Sequence, residues 1–311
     1  MRLFRRRRNH AFLFGAGASF GSEAGVHVPP LGNKLYEQLK GILRVAPEIE
    51  PEVEALFSTN FEQGMDELMR RKSWTQQSFQ QDLARYFVQF EPGPSNYYRR
   101  LVRIFGTGRV NTLLASLNYD ILLERSMELE GVTYNHIITR DHPHRSLPIY
   151  KLHGSCNIVP DPPAQIRGIL IDLDLPNFPL GERAEGVGGD RVKSLTRTEL
   201  LQWLEEEDTL VPCVAMYAAS KMMRDHATPF IRLQRGWASA IHNMEALFII
   251  GVRMALHDRH IWDPISSFKG KIYWVSPHAE EALDWGRDHG LRIEHFAKDF
   301  GSFVARYDLA F

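Results

Sequence analysis

The chain has only two cysteines, Cys156 and Cys213, in 311 residues. Two thiols close at most one disulfide, so no disulfide framework carries the fold, and a reducing cytoplasm suits such a chain. They also cannot supply a four-cysteine zinc ribbon. Long apolar runs are missing too. None approaches the roughly 18 residues that span a bilayer, so no membrane-spanning helix is expected. Charge of one sign is lacking: 37 basic and 38 acidic side chains leave a net −1. A molecule so balanced exerts no overall pull on anionic lipid, and no direct contact with nucleic acid is expected. There is no internal repeat and no long low-complexity segment. What remains is ordinary globular material, 44% hydrophobic and 24% charged, with ample substance for a core.

The N-terminus imitates an export signal, because Arg5 to Arg8 precede Ala11-Phe-Leu-Phe-Gly-Ala-Gly-Ala18. The apolar part is short, however, and holds two glycines. It reads better as a buried strand running into a glycine loop, with the arginines a solvated start to that strand.

Buried strands are short apolar runs, and several recur: Ala11 to Phe14, Val110 to Leu117, Pro148 to Leu152, Glu245 to Gly251, Lys271 to Val275 and Leu291 to Phe296. Helical patterns separate them. Leu31, Leu35, Leu39 and Leu43 recur every four residues after Pro29-Pro30. One amphipathic section is marked by Leu68, Phe79, Leu83, Tyr86 and Phe87. Pro92-Gly93-Pro94 ends it, and Tyr98, Leu101, Ile104 and Phe105 mark the next helix. Further helices are expected from Ile121, over Ser194 to Glu207, over Glu280 to Asp288, and at the C-terminus. Alternation of this kind implies an α/β fold: a Rossmann-like, mostly parallel sheet with helices on both faces and a helical insertion. A single domain over 1–311 is expected, with a helical lobe at about 33–105 and a loop-rich segment at about 157–235. The part from Asn157 to Asp190, with several prolines and Gly186 to Gly189, is the least structured of all and suits a lid or partner surface.

Three stretches at strand ends carry the chemistry: Phe12-Leu-Phe-Gly-Ala-Gly-Ala-Ser19, Ser116-Leu-Asn-Tyr-Asp120 and Lys151-Leu-His-Gly-Ser155. In open α/β sheets such loops line the ligand crevice. Gly15 and Gly17 let backbone approach a pyrophosphate, and free N–H groups there bind its oxygens. A tight turn needing glycine for packing alone explains the loop equally well. Two sharper readings fit worse. The dehydrogenase fingerprint Gly-x-Gly-x-x-Gly fails by one place, since position 20 is Phe and the third glycine is Gly21. Gly17-Ala-Ser-Phe-Gly21 matches the nucleophile elbow of α/β-hydrolases, but only about 14 residues precede the loop and several strands should.

Taken in order, these motifs resemble those of the sirtuin superfamily. Gly15-Ala-Gly-Ala-Ser19 is similar to its opening Gly-Ala-Gly-x-Ser. Asn118-Tyr119-Asp120 resembles its Asn-Ile-Asp in the form usual in bacterial SIR2-like proteins. Lys151-Leu-His-Gly-Ser155 resembles the strand end bearing the general-base histidine, and Phe248-Ile-Ile-Gly251 the later strand beneath the dinucleotide. The family's structural zinc has no counterpart, and its later Gly-Thr-Ser becomes Gly251-Val-Arg253. The pattern is closer to the zinc-free SIR2-like proteins of bacterial anti-phage defence. That resemblance implies a cytoplasmic NAD+ glycohydrolase that takes NAD as substrate and holds no metal. It also implies a homo-oligomer or a partner defence subunit. The dinucleotide-binding positions it implies are Gly15, Ala16, Gly17, Ala18, Ser19, Asn118, Tyr119, Asp120 and Gly251.

Cleaving nicotinamide from ribose requires a held dinucleotide and an oriented water, because the pyridinium is already a cationic leaving group. The amide of Asn118 can donate and accept, which suits ribose hydroxyls or the water. The imidazole of His153 titrates near neutrality, which suits a general base. Asp120 can bond ribose or the nicotinamide amide, or simply cap the helix from Ile121, as Asn118 also can. The Gly15 to Ala18 amides and Ser19 would take the phosphates. His142-Pro-His144 and His257-Asp-Arg-His260 are read as surface or supporting groups rather than metal ligands. Two other functions remain open: an NAD-dependent protein deacylase or ADP-ribosyltransferase, and a non-catalytic module that binds NAD or ADP-ribose.

Overall fold

The structure, a computed structural model, describes residues 8–25, 27–44, 49–71, 73–108, 110–139, 146–161, 191–206, 210–214 and 227–310. Its strands are β1 (Arg8–Phe14), β2 (Val110–Ser116), β3 (Tyr134–His136), β4 (Leu147–Lys151), β5 (Ile158–Pro160), β6 (Val192–Ser194), β7 (Ala246–Ile250), β8 (Lys271–Val275) and β9 (Arg292–Ala297). Seven of them form one sheet in the order β3-β4-β2-β1-β7-β8-β9. Every neighbouring pair in that sheet is parallel. The chain lays β2, β3 and β4 on one side of β1, with β4 inserted between β2 and the edge strand β3, and then returns to build from β7 on the other. The order therefore reverses between β1 and β7, where α/β sheets open a crevice.

Because side chains alternate across a strand, the same run feeds two cores. Phe12, Phe14, Leu114, Phe248 and Ile250 face one of them. There they meet α2 (Gly32–Leu39), α3 (Pro51–Thr59), α4 (Phe61–Arg71), α5 (Ser73–Phe87), α6 (Tyr97–Gly106), α7 (Leu122–Leu129) and the last helix, Phe300–Ala310. Phe12 stacks on Phe248 with centroids 5.2 Å apart. Ala11, Leu13, Leu113, Ala115, Leu247 and Ile249 face the other core. It is covered by α9 (Ala227–Ile241), α10 (Arg259–Ser266) and α11 (Glu280–Asp288), which contribute Trp237, Ile261 and Trp285. The expected α/β sheet with helices on both faces is the one observed.

Local chemistry sets the element ends. Asn96 caps α6 by accepting from Tyr98 N at 2.9 Å. Thr196 and Glu199 form a reciprocal capping box at the start of α8 (Arg197–Glu206). Two expectations are corrected. The single amphipathic section from Leu68 to Phe87 is two helices, α4 and α5. The strand β3 has no counterpart among the expected elements, because Tyr134-Asn-His136 is short and partly polar. Within the loop-rich segment β5 pairs antiparallel with β6. Residues 162–190 and 215–226, with His142 and His144, lie outside the described residues. Cys156 and Cys213 are buried free thiols.

Candidate active site

Strand register brings the motifs to one edge. Phe14 pairs with Ser116 and with Ile250, Ser116 pairs with Lys151, and Ile250 pairs with Val275. The ladder runs one residue further: Leu152 N donates to Ser116 O at 3.0 Å, Leu117 N to Phe14 O at 2.9 Å, Gly15 N to Ile250 O at 3.0 Å, and Gly251 N to Val275 O at 2.9 Å. The β4, β2, β1 and β7 loops thus leave the sheet side by side, on either side of the point where strand order reverses.

The β1 and β7 loops touch backbone to backbone. Gly17 N donates to Gly251 O at 2.9 Å. A methyl at position 15 would lie 2.6 Å from Gly251 O, and one at 17 would lie 2.9 Å from Gly251 Cα. At position 251, where φ is +61°, a methyl would lie 2.2 Å from Ala18 N. Packing alone therefore demands these glycines. It also engages the N–H groups assigned to phosphate: Gly15 N and Gly17 N bond to the β7 end, and Ala18 N bonds to Gly15 O at 2.9 Å. As it stands the loop engages those three amides within the protein, so the phosphate role expected of them requires release of these bonds. Ala16 is exposed, in the first turn of the five-residue helix α1 (Ala16–Phe20).

Ser19 and Asn118 meet directly. Asn118 Nδ2 donates to Ser19 Oγ at 2.8 Å and to Gly15 O at 3.0 Å, and its backbone N donates to Ser116 Oγ at 3.1 Å. Ser19 Oγ also lies 3.2 Å from the Tyr98 hydroxyl, brought in by α6. Burial pushes that phenol well above its usual range, with the nearby Asp120 adding to the effect, so it stays protonated. Asp120, one residue before the α7 N-cap Ile121, accepts from Leu122 N at 3.0 Å. Burial raises its carboxyl despite the opposing Lys151 ammonium. Tyr119 is buried, its ring against Phe87 and its carbonyl accepting from Cys156 N at 3.0 Å.

His153 sits in the turn after β4, which Gly154 closes at φ 85° by donating its N–H to Lys151 O. The imidazole is 3% exposed. Its Nε2 lies 3.8 Å from Asp258 Oδ2, and its ring centroid 5.3 Å from that of His260. Burial lowers this histidine from 6.5 to about 3, with His260 and His257 contributing. His260 is itself lowered to about 4 by burial, and Asp258 is raised by burial against the pull of His257. At neutral pH His153 is therefore uncharged, and burial makes the ring a weaker base than the near-neutral titration expected from the sequence would give.

Asn118 turns toward the β1 loop and His153 toward the segment before α10, although both leave adjacent strands at the same level. Lys151, which opens the third motif, completes the surroundings together with Tyr98, Glu124 and Asp258, which belong to none of the three motifs. For Asp258 the available signal is its place inside His257-Asp-Arg-His260. Among the described residues no group of three or more His, Cys, Asp or Glu side chains could hold a metal ion.

No family model matches the sequence, and no curated protein matches it. Among solved structures the chain is similar to Sir2 bound to an acetylated peptide, at 12% identity over 96% of this chain and 91% of that one, with a TM-score of 0.45. A structure addressing the mechanism and regulation of Sir2 enzymes aligns at 13% identity over 96% of this chain and 92% of that one, with a TM-score of 0.48. An ADP-ribose complex of a Sir2 homologue aligns at 13% identity over 97% and 90%, with a TM-score of 0.45. Likeness at this level carries nothing about chemistry, which rests on the side chains above.

Proposed function

We propose that this protein is an NAD+ glycohydrolase that releases nicotinamide and ADP-ribose and acts in cytoplasmic anti-phage defence. The observation that carries the reading is the junction of Asn118 with Ser19 and Gly15, at the sheet edge from which His153 also emerges. The ordered motifs support the nucleotide class, and the side chains at this edge support the reaction. Water attacks the anomeric carbon of the ribose, and the bond to the pyridinium nitrogen breaks with its electron pair leaving on nicotinamide. The proton lost by water passes to His153, and the Asp258 carboxylate opposes the positive charge that forms there. The Asn118 amide exchanges its bonds to Ser19 and Gly15 for bonds to ribose hydroxyl or water.

Ser19, Asn118, Asp120 and His153 are all buried. Binding therefore opens the loops over them, and use of the Gly17 and Ala18 amides for phosphate requires release of their present bonds. Such opening suits an enzyme held inactive until it assembles as a homo-oligomer or meets a partner subunit, and we include that regulation in the proposal.

The test is to follow NAD+ loss and the appearance of nicotinamide and ADP-ribose with purified protein. Asn118→Ala and His153→Ala should each lower turnover by about 100-fold or more. Turnover retained in both would remove the site. Nicotinamide release that depends on an acetylated peptide would indicate a deacylase, and tight binding without turnover a binding module.

A further inference from the structure

Lys151 ends β4 two residues before His153, and only 1% of its side chain is exposed. Its Nζ donates to Asp120 O at 2.7 Å and lies 3.1 Å from Glu124 Oε1. That same carboxylate oxygen lies 3.0 Å from His136 Nε2. Glu124 is 1% exposed and His136 0%. Three ionisable side chains from α7, β3 and β4 are thus packed together in the interior, behind the Asn118–Asp120 loop.

Stability does not explain such a cluster. Burying an ammonium and a carboxylate is costly, and a well-packed apolar pair of similar volume often serves the fold as well or better. The network is also incompletely satisfied. Glu124 Oε2 and His136 Nδ1 find no hydrogen-bond partner among the described residues, and a partly satisfied network is a poor device for stability.

What the cluster does achieve is local. The loop is fixed at three successive residues: Asn118 N by Ser116 Oγ at 3.1 Å, Tyr119 O by Cys156 N at 3.0 Å, and Asp120 O by the Lys151 ammonium. Two of these three clamps come from β4 and the turn after it, the segment that carries His153. Of the three, only the bond to Asp120 comes from a charged side chain. Charge-assisted bonds are the strong ones.

We propose that Lys151 is a positioning residue, whose ammonium, held by a Glu124 carboxylate that His136 in turn contacts, clamps the Asp120 carbonyl and so aims the Asn118 amide relative to His153. The catalytic consequence rests on the glycohydrolase reading; the clamp itself does not.

The experiment compares the full-length protein with Lys151→Met and with Lys151→Met/Glu124→Met, the double variant removing both buried charges. Hydrogen exchange of the amides at 118–122 is read beside NAD+ turnover. In the double variant these amides should exchange about tenfold faster or more while those of β1 and β7 are unchanged. The kcat should fall about 10- to 100-fold with little change in KM, as for a misplaced catalytic group. Wild-type exchange at 118–122, or wild-type kcat in the double variant, overturns the proposal. So does a double variant that no longer folds, since the charges would then serve the fold. If the unaltered protein turns over no NAD+, the functional reading fails, and faster exchange at 118–122 still establishes the clamp.

Discussion

Asn118 Nδ2 lies 2.8 Å from Ser19 Oγ and 3.0 Å from Gly15 O, joining residues 99 and 103 positions apart. With the Tyr98 hydroxyl 3.2 Å from the same Ser19 Oγ, a buried polar knot ties β1, β2 and α6 together. Ser19→Ala leaves two buried polar partners short of one bond each. Stability should fall by about 1–3 kcal/mol in urea denaturation, and NAD+ turnover by about tenfold, since the hydroxyl proposed to take phosphate is lost. A variant as stable and active as the parent would show that the knot does not matter.

Gly251 tests the contact between the β1 and β7 loops. Its φ is +61°, and an added methyl would lie 2.2 Å from Ala18 N. Gly131 also has a positive φ, +66°, but a methyl there meets nothing within 4 Å. Gly251→Ala should therefore cost about 2–4 kcal/mol, combining backbone strain with overpacking. Gly131→Ala should cost only about 1 kcal/mol. Equal losses in chemical denaturation would mean that the two loops do not abut.

Much of this arrangement is legible in the sequence, and the reasons differ by element. Strands β1, β7 and β8 sit centrally in a parallel sheet, so each reads as a run of apolar residues. Strand β3 does not: Tyr134-Asn-His136 is three residues long, and His136 turns to a buried carboxylate instead of an apolar neighbour. In the site, Gly15, Ser19, Asn118 and His153 stand out because small and polar residues follow apolar runs. Tyr98 looks like an ordinary helix residue, and Lys151 opens the third motif without any sign of what its ammonium touches. Their roles arise from contacts across 79 and 31 positions, which no local pattern announces. The glycines read as a phosphate loop because sequence shows that backbone can come close, not what it comes close to. Here that is Gly251.

The burial of His153 has a measurable consequence for stability against pH. Its imidazole is lowered from 6.5 to about 3 by burial, reinforced by His260 and His257. The unfolded chain takes up this proton near pH 6.5, and the folded chain refuses it until about pH 3. The stability held by the neutral ring is thus fully present above 6.5. It declines by about 1.4 kcal/mol per pH unit as pH falls below that value. In urea denaturation at a series of pH values, His153→Gln should flatten the curve by about that slope between roughly pH 6 and 4. An unchanged slope would contradict a buried, uncharged ring.

Asp258 lies 3.8 Å from His153 Nε2, close enough to oppose the positive charge of a protonated ring. Asp258→Asn preserves shape and removes that charge. The kcat for NAD+ cleavage should fall about 10- to 100-fold with KM little altered, measured by steady-state kinetics. A rise in KM alone would reassign Asp258 to holding substrate.

The most direct measurement is a crystal structure of the His153→Ala protein with NAD+ bound. The expected result is an intact dinucleotide at the edge shared by the β4, β2, β1 and β7 loops. A ribose hydroxyl should bond to Asn118, and the anomeric carbon should face the position vacated at 153. A dinucleotide seated elsewhere, or one at this edge without a polar contact to Asn118, would contradict the glycohydrolase reading.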